Sequence, residues 1–367
     1  MMAKFTDIFE DVTKQGTKIP TNLYLETGMY PIIDQGQSQV AGYTNETEGL
    51  FTDIPAIIFG DHTRIIKYVD TPCFLGADGV KLLKAKDPTA NYKYLYYALC
   101  CADIPNTGYN RHFKWLKEVD IPEYSKEKQN KIVAQLEKID NLISLRKQQL
   151  SKLDELVKSR FIELFGDLHS TKFPKCKMAE ICNIKHGYAF SGEFFTEEDN
   201  NILLVTPGNF KVGGGFQEKK CKFFMGEYSE EYVLNCGDLV VTMTDLSKNM
   251  DTLGYSAIVP STNRVYLHNQ RIGLFVDMSE NINKVFLMYF MQTNEYRDSI
   301  ITSATGSTVH HTSPSKILDC DVFLPPIELQ DQFAAFVEQT DKSKFEIQKS
   351  LEKLETLKKA LMQKYFG

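Results

Sequence analysis

Two polar loops contain most of the side chains in this sequence that could do recognition chemistry. The first reads IPNTGYNRHFKW (104–115) and the second reads TSATGSTVHHTSPSK (302–316). Each has a Thr-Gly step followed by hydroxyl, amide, imidazole or cationic side chains, with few apolar residues. Side chains of these types hydrogen-bond to base edges and phosphates, so both loops are candidates for binding nucleic acid.

Asparagine and arginine have the clearest base-reading geometry. Asn110 and Arg111 match the hydrogen-bonding edges of adenine and guanine, respectively. The polar stretch LHNQRIG (267–273) adds further candidates. The alternative is that these are ordinary solvated loop residues. The residues predicted to contact nucleic acid are Asn110, Arg111, His112, Lys114, Asn269, Arg271, Ser307, Thr308, His310 and Lys316.

Signatures of catalysis are missing from the sequence. It has no GxxxxGK[ST] phosphate-binding loop and no Asn/Asp-Pro-Pro-aromatic segment of the methyltransferase type. No nucleophile–base pair is evident, so we predict no catalytic residues. A zinc site built from Cys176, Cys182 and His186 is disfavoured because its spacing fits no common structural site, and we predict no bound metal.

The composition is that of an ordinary globular protein. The chain has 367 residues, which favours two domains, and a net charge of −6, which weakens a nucleic-acid interpretation without excluding it. There is no run of eighteen apolar residues and no N-terminal signal pattern, so we expect a cytoplasmic protein with reduced cysteines.

Each loop lies in a segment that mixes short strands and helices. In the first segment, 56–61 and 64–69 are predicted to form a hairpin, 79–85 another strand and 92–100 a helix. In the second, we predict strands in NILLVT, GDLVVTMT, SAIVP and RIGLFVD and one helix in NKVFLMYFMQTNEYRDSI. Both segments then continue through the polar loop, a strand, a proline and a long helix.

The chain repeats itself at an offset of 201 residues. Aligning 129–166 with 330–367 gives eleven identities in thirty-eight positions, and the pairs Phe165/Phe366 and Gly166/Gly367 close both copies. We predict the first long helix from about 125 to 164, with Ser125 as its N-cap.

Both long helices have a heptad pattern typical of a coiled coil. In the first copy, Arg146 is the one seam position that is not apolar, and in the second Thr340, Lys344 and Lys358 interrupt the pattern. The main apolar seam positions are Ile132, Leu136, Ile139, Ile143, Leu150, Leu153 and Val157 in the first helix, and Phe333, Val337, Leu351, Leu354 and Leu361 in the second.

The two helices most simply pack on each other. Forty residues of helix span roughly 60 Å. A parallel pair would push both preceding globular segments into the same space, so we expect an antiparallel pair. The alternative from another functional class is a structural coiled-coil stalk or scaffold, or a carbohydrate- or protein-binding adaptor with duplicated domains and no DNA role.

Together these features resemble the specificity subunit of type I restriction-modification enzymes. The resemblance covers essentially the whole chain and is most specific at 119–166 and 237–367. It rests on the proline followed by a long helix ending in Phe-Gly, on FLPPIELQDQFAAFVEQTD, and on GDLVVTMTD, HNQRIG and TGSTVHHTS. The first segment departs from this pattern, because LGADGV (75–80) stands where the second has HNQRIG.

The resemblance implies an α+β fold with two mixed target recognition domains, a pair of long antiparallel coiled-coil helices between them, and a pseudo-two-fold repeat. The domains would be 1–118 and 167–320, and the spacer helices 119–166 and 321–367. It further implies a non-catalytic reader of double-stranded DNA. One recognition domain would bind each half of a bipartite, asymmetric target, and the helices would fix the distance between the halves.

The resemblance also implies partners. Two methyltransferase subunits would dock on the seam-bearing helices and neighbouring domain surface, and restriction subunits would join that core. S-adenosylmethionine would belong to the methyltransferase partner, and no cofactor to this chain. An orphan or shuffled specificity cassette, used only with a methyltransferase or in the exclusion of foreign DNA by a non-cutting system, is the alternative within the same functional area.

Overall fold

A computed structural model describes residues 1–76, 78–219 and 221–367. Ala77, which belongs to the LGADGV stretch, and Lys220 therefore lie outside the described residues. The chain divides into two compact units, one formed by Met1–Gln149 with Ile347–Gly367 and the other by Leu150–Glu346. Each unit contains part of each long helix. The boundaries that the sequence predicts for recognition domains and spacer helices therefore stay a prediction.

The first unit is built on a four-stranded antiparallel sheet, a three-stranded sheet and a two-stranded ribbon. Its strands are β1 (Met2–Lys4), β2 (Phe9–Asp11), β3 (Tyr30–Ile33), β4 (Gly42–Thr44), β5 (Ala56–Gly60), β6 (Ile66–Val69), β7 (Phe74–Leu75), β8 (Val80–Ala85) and β9 (Asp120–Pro122). Its helices are α1 (Phe5–Ile8), α2 (Tyr92–Cys100), α3 (Phe113–Leu116) and the beginning of α4 (Lys126–Phe165). The sheet orders are β2-β8-β5-β6, β4-β3-β7 and β1-β9.

Strand β5 shows why this sequence folds into layers. All five residues of AIIFG are buried, because both faces of the sheet are covered. Ile57 and Phe59 pack into the core that contains helix α2, whereas Ala56 and Ile58 pack into the core shared with the three-stranded sheet. The predicted hairpin, third strand and helix are all confirmed.

The second unit repeats this plan with a larger second sheet. Its strands are β10 (Lys175–Lys177), β11 (Asn183–His186), β12 (Phe195–Thr196), β13 (Ile202–Val205), β14 (Lys222–Phe224), β15 (Val233–Leu234), β16 (Leu239–Thr242), β17 (Thr244–Asp245), β18 (Ser256–Ile258), β19 (Val265–His268), β20 (Ile272–Val276), β21 (His310–His311) and β22 (Asp321–Phe323). Its helices are α5 (Lys284–Phe290), α6 (Asn294–Ser303), α7 (Pro314–Leu318) and the beginning of α8 (Ile327–Phe366).

The strand orders confirm that the two units share one topology. The order β11-β20-β16-β18 corresponds to β2-β8-β5-β6, and β10-β22 corresponds to β1-β9. The parallel pair β13/β19 corresponds to β3/β7. The fold is therefore α+β with an internal repeat that extends well beyond the helical segments where the identities are concentrated.

One predicted helix is wrong in extent. The stretch 283–300 forms two helices, α5 and α6, with a break at 291–293. Thr293 has an extended backbone, and its hydroxyl donates a hydrogen bond of 2.7 Å to the carbonyl of Phe290, which closes α5 before α6 begins. A threonine hydroxyl that competes for a helix carbonyl favours such a boundary.

The two long helices form as predicted. α4 and α8 contain 40 residues each, and the Ser125 hydroxyl accepts a hydrogen bond from the backbone N–H of Lys128, as expected of an N-cap. Gly166, with φ of 72°, follows the last residue of α4 in the left-handed conformation that favours glycine. No helix in the described parts of the chain is long and apolar enough to cross a membrane.

Within each unit, the helical segments run antiparallel. In the first unit, Tyr365 donates to Gln135, Asp140 pairs with Lys358 at 2.5 Å, and Lys147 lies 3.3 Å from Glu355. In the second unit, Lys344 lies 2.7 Å from Asp154, and the rings of Phe161 and Phe333 are 5.4 Å apart. Lys344 and Lys358, which interrupt the apolar seam, thus face carboxylates on the other helix.

Candidate DNA-recognition loops

The Thr-Gly loop of the first unit is anchored by a buried histidine. His112 is 0% exposed, and its Nδ1 donates to the carbonyl of Asp61 at 2.9 Å. Nε2 is then the acceptor, and it lies 3.3 Å from the hydroxyl of Thr107. The Asp61 carboxylate in turn accepts from the N–H of Phe113 at 2.7 Å. His112 therefore positions the loop and has no surface for DNA, contrary to its predicted role.

The tip of this loop presents its remaining polar and aromatic groups to solvent. Gly108 turns the chain with φ of 77°, and Tyr109, Asn110 and Arg111 follow it on the surface. The Asn110 amide donates to the carbonyl of Thr107, which uses one of its two N–H groups inside the loop. Lys114 is exposed, with its ammonium group 5.0 Å from the ring centre of Trp115.

The second Thr-Gly loop is held by strand pairing. Asp245 pairs with His310 and Thr244 with His311. Gly306 has φ of 96°, and a Cβ there would lie 2.0 Å from the carbonyl oxygen of Val309, so this turn requires glycine. Ser307 and Thr308 are exposed beyond it, and His310 is half-buried. The half-buried Lys316 points back into the unit, where its ammonium donates to the carbonyl of Ser303.

A buried carboxylate orders the neighbouring loop. Asp245 is buried and accepts from the N–H of Ser247 at 2.6 Å and from the hydroxyl of Thr252 at 2.7 Å. Burial by itself raises the pKa of this carboxyl, but the hydrogen bonds from Ser247 and Thr252 outweigh it and lower the pKa below its ordinary value. The charged form of Asp245 thus holds the 246–253 loop in place.

The HNQRIG turn contributes one exposed cation. Asn269 is 5% exposed, and its side-chain oxygen accepts from the N–H of Arg271 at 3.0 Å, so it shapes the turn from inside. The side chain of Arg271 is exposed, and its carbonyl accepts from the N–H of Met243 at 2.9 Å. Next to the turn, burial lowers the pKa of His268 to about 4, and its Nε2 donates to the carbonyl of Ile272 at 2.9 Å.

Equivalent backbone contacts bring the loops together in each unit. In the second unit, Met243 accepts from the N–H of Thr312 and donates to the carbonyl of Arg271, so both loops meet at the end of β16. In the first unit, Asp61 accepts from His112 and donates to Gly79. In the first unit, Gly79 therefore occupies the position that Arg271 has in the second unit. This explains why the first unit has no arginine at this position.

The predicted seam residues lie inside the chain's own units. Buried positions are Ile132, Leu136, Ile139, Ile143, Val157, Phe333, Val337 and Leu351, and half-buried positions are Leu150, Leu153, Leu354 and Leu361. Phe161 and Phe165, which the heptad pattern missed, are buried in the second unit. Among the described residues, no group of three or more His, Cys, Asp or Glu side chains could hold a metal ion.

Sequence reasoning also missed an aromatic pair in the first unit. Tyr109 lies within the first Thr-Gly loop but is not among the residues predicted to contact nucleic acid. Its partner His62 comes from the β5–β6 turn, and the two rings are stacked with centroids 4.6 Å apart. An aromatic residue directly after the Thr-Gly step was the available signal for Tyr109, whereas nothing in the sequence links it to His62.

These features define a duplicated recognition protein, with one set of exposed polar loops in each of two similar units. The sequence model of the family described as "Type I restriction modification DNA specificity domain" matches residues 1–155 and 172–359. This chain therefore belongs to the specificity subunit family of type I restriction-modification systems.

Individual relatives agree with this assignment. The chain is 25% identical over 321 residues to the type I restriction enzyme MjaVIII specificity subunit of Methanocaldococcus jannaschii, covering 79% of this chain and 74% of that protein. It is 28% identical over 146 residues to the EcoR124I/EcoR124II specificity subunit of Escherichia coli, covering 34% and 36%. Its fold is similar to the crystal structure of a type I S subunit from M. genitalium, with a TM-score of 0.60, 18% identity and coverage of 100% and 96%.

Proposed function

We propose that this chain reads a bipartite, asymmetric sequence in double-stranded DNA, with one recognition unit for each half-site. The observation that carries the proposal is the repeat of one topology with unlike loops. The first unit exposes Tyr109, Asn110 and Arg111 after its Thr-Gly step, whereas the second exposes Ser307 and Thr308. Unlike side chains on equivalent loops favour unlike base sequences.

Phosphate contacts would come from the exposed cations around these loops. Arg111 and Lys114 in the first unit and Arg271 in the second have accessible side chains. Because the chain has a net charge of −6, these local cations act against an acidic background. Partner subunits would supply much of the remaining affinity for the DNA backbone.

In this proposal the chain itself is non-catalytic and directs other subunits to the target. Two methyltransferase subunits, which would bind S-adenosylmethionine, dock on the long helices, and restriction subunits join that core. Exposed apolar side chains on the helices support docking, because such residues suit a protein interface better than water. They are Leu142, Leu145 and Leu357 in the first unit and Leu156, Ile162 and Phe345 in the second.

Selection from randomised duplex DNA tests this function. The chain, mixed with its methyltransferase partner, is expected to enrich two short defined motifs separated by a spacer of undefined sequence. Binding should weaken steeply as salt rises, because phosphate contacts release counterions. Enrichment of no sequence, with binding indifferent to salt, would instead favour a coiled-coil scaffold without a DNA role.

A further inference from the structure

Tyr109, on the first Thr-Gly loop, has an exposed aromatic ring that is stacked on the ring of His62. Tyr109 is 86% exposed, and its ring lies flat on that of His62, with centroids 4.6 Å apart and an interplanar angle of 8°. Stacking holds one face of the tyrosine ring and leaves its other face open to solvent. A tyrosine this exposed gains little from folding, so its fixed orientation calls for another explanation.

Two hydrogen bonds hold His62 in place beneath Tyr109. The backbone N–H of His62 donates to the Gln35 side chain at 3.1 Å, and Nδ1 of His62 lies 3.2 Å from the carbonyl of Asn110. The Gln35 amide also donates to the carbonyl of Asp78 at 3.1 Å. The β3–β4 loop, the β5–β6 turn and the Thr-Gly loop therefore meet under the tyrosine.

A glycine makes room for this arrangement. A Cβ at Gly79 would lie 2.7 Å from Cδ2 of His62 and 2.6 Å from the amide nitrogen of Gln35, so any other residue there would clash with both side chains. Gly79 also has φ of 90°, a conformation that side-chain-bearing residues rarely adopt. In the first unit, the Tyr109 ring stacked on His62 thus lies in the region where the second unit has the Arg271 cation.

We propose that Tyr109 is a specificity-determining residue of the first recognition unit, whose open ring face packs on base edges in the first half-site, and that His62 positions it. This inference rests on the proposed function. A flat apolar face packs against groups such as the thymine methyl, while Asn110 and Arg111 beside it supply hydrogen bonds and charge. The ring is held in place before binding, so DNA would not have to order it.

Selection from randomised half-sites with the chain–methyltransferase complex tests this role. Tyr109→Ala is expected to relax at least one position of the first half-site by about tenfold or more and leave the second half-site unchanged. His62→Ala should relax the same position more weakly, and His62→Phe, which keeps a flat ring for stacking, should restore the preference. Thermal unfolding of each variant should match that of the parent chain.

Controls separate this inference from the function on which it rests. Met29→Ala removes another exposed apolar side chain of the same unit, 67% exposed, and should leave both half-sites unchanged. If the parent complex selects no first half-site, the proposed function fails. If the parent selects one and Tyr109→Ala selects the same one with equal strength, the function stands and the role of Tyr109 is refuted. Loss of preference in His62→Phe as complete as in His62→Ala would refute the positioning role.

Discussion

At the scale of single residues, one buried histidine makes the second unit sensitive to acid. Burial first, and then the nearby Lys185 and His186, lower the pKa of His268 from 6.5 to about 4, against the opposing hydrogen bond to Ile272. The folded unit therefore holds a neutral imidazole where the unfolded chain binds a proton. The stability it contributes is fully present above pH 6.5 and is lost as the pH falls toward 4.

This linkage predicts a measurable loss of stability. Between pH 7 and pH 5, the free energy of unfolding of the second unit should fall by about 2 kcal/mol through His268 alone. Hydrogen exchange of the amides in 265–276 at the two pH values measures this loss. His268→Gln, which cannot be protonated, should reduce the pH dependence by that amount, and an unchanged dependence in the variant would contradict the assignment.

Residue identity predicted the loops but not which side chains face outward. Asn110, Arg111, Lys114, Arg271, Ser307 and Thr308 are exposed as expected, whereas His112 and Asn269 are buried and Lys316 points inward. Polar residues in a loop either present groups to a ligand or satisfy the loop's own backbone. Their types are the same in both cases, so only three-dimensional contacts such as that of His112 with Asp61 distinguish them.

At the scale of elements, the long helices were the most predictable part of the chain. Their periodicity, the Ser125 cap and the terminal Phe-Gly are local signals, and the structure confirms them. Lys344 and Lys358 interrupt the pattern because they face Asp154 and Asp140, which sequence alone did not pair with them. If the two helical segments of the first unit shifted against each other by seven residues, Lys147 would face Lys358. Repulsion between these like charges therefore disfavours that alternative register.

The outward face of α4 yields a prediction about partner docking. Leu145 is 55% exposed, so Leu145→Glu should leave folding intact yet introduce a charge into the proposed interface. Co-purification with the methyltransferase partner should fall about tenfold or more. Gln148→Glu adds the same charge at a neighbouring exposed position and serves as the matched control. If both variants retain the partner equally well, Leu145 lies outside the interface.

At the scale of the whole molecule, the internal repeat extends further than the identities that revealed it. Identical residues cluster in the helical segments, yet the sheet order of the first unit recurs in the second. A β-sheet core tolerates many apolar sequences of suitable volume, so topology persists where residue identity is lost. The duplication is therefore visible in the sequence of the helices, whereas the equivalence of the sheets becomes visible only in the three-dimensional structure.

The central claim is that each unit reads its own half of the target for a partner that lacks this specificity alone. Methylation-sensitive sequencing of the host genome tests it directly. In cells with the methyltransferase and this chain we predict methylation at one bipartite motif, and in cells without this chain at no defined site. When residues 1–118 are replaced by the matching segment of another family member, we predict methylation at a motif with only one half changed. Unchanged methylation without this chain, or a replacement that alters both halves, would contradict the account.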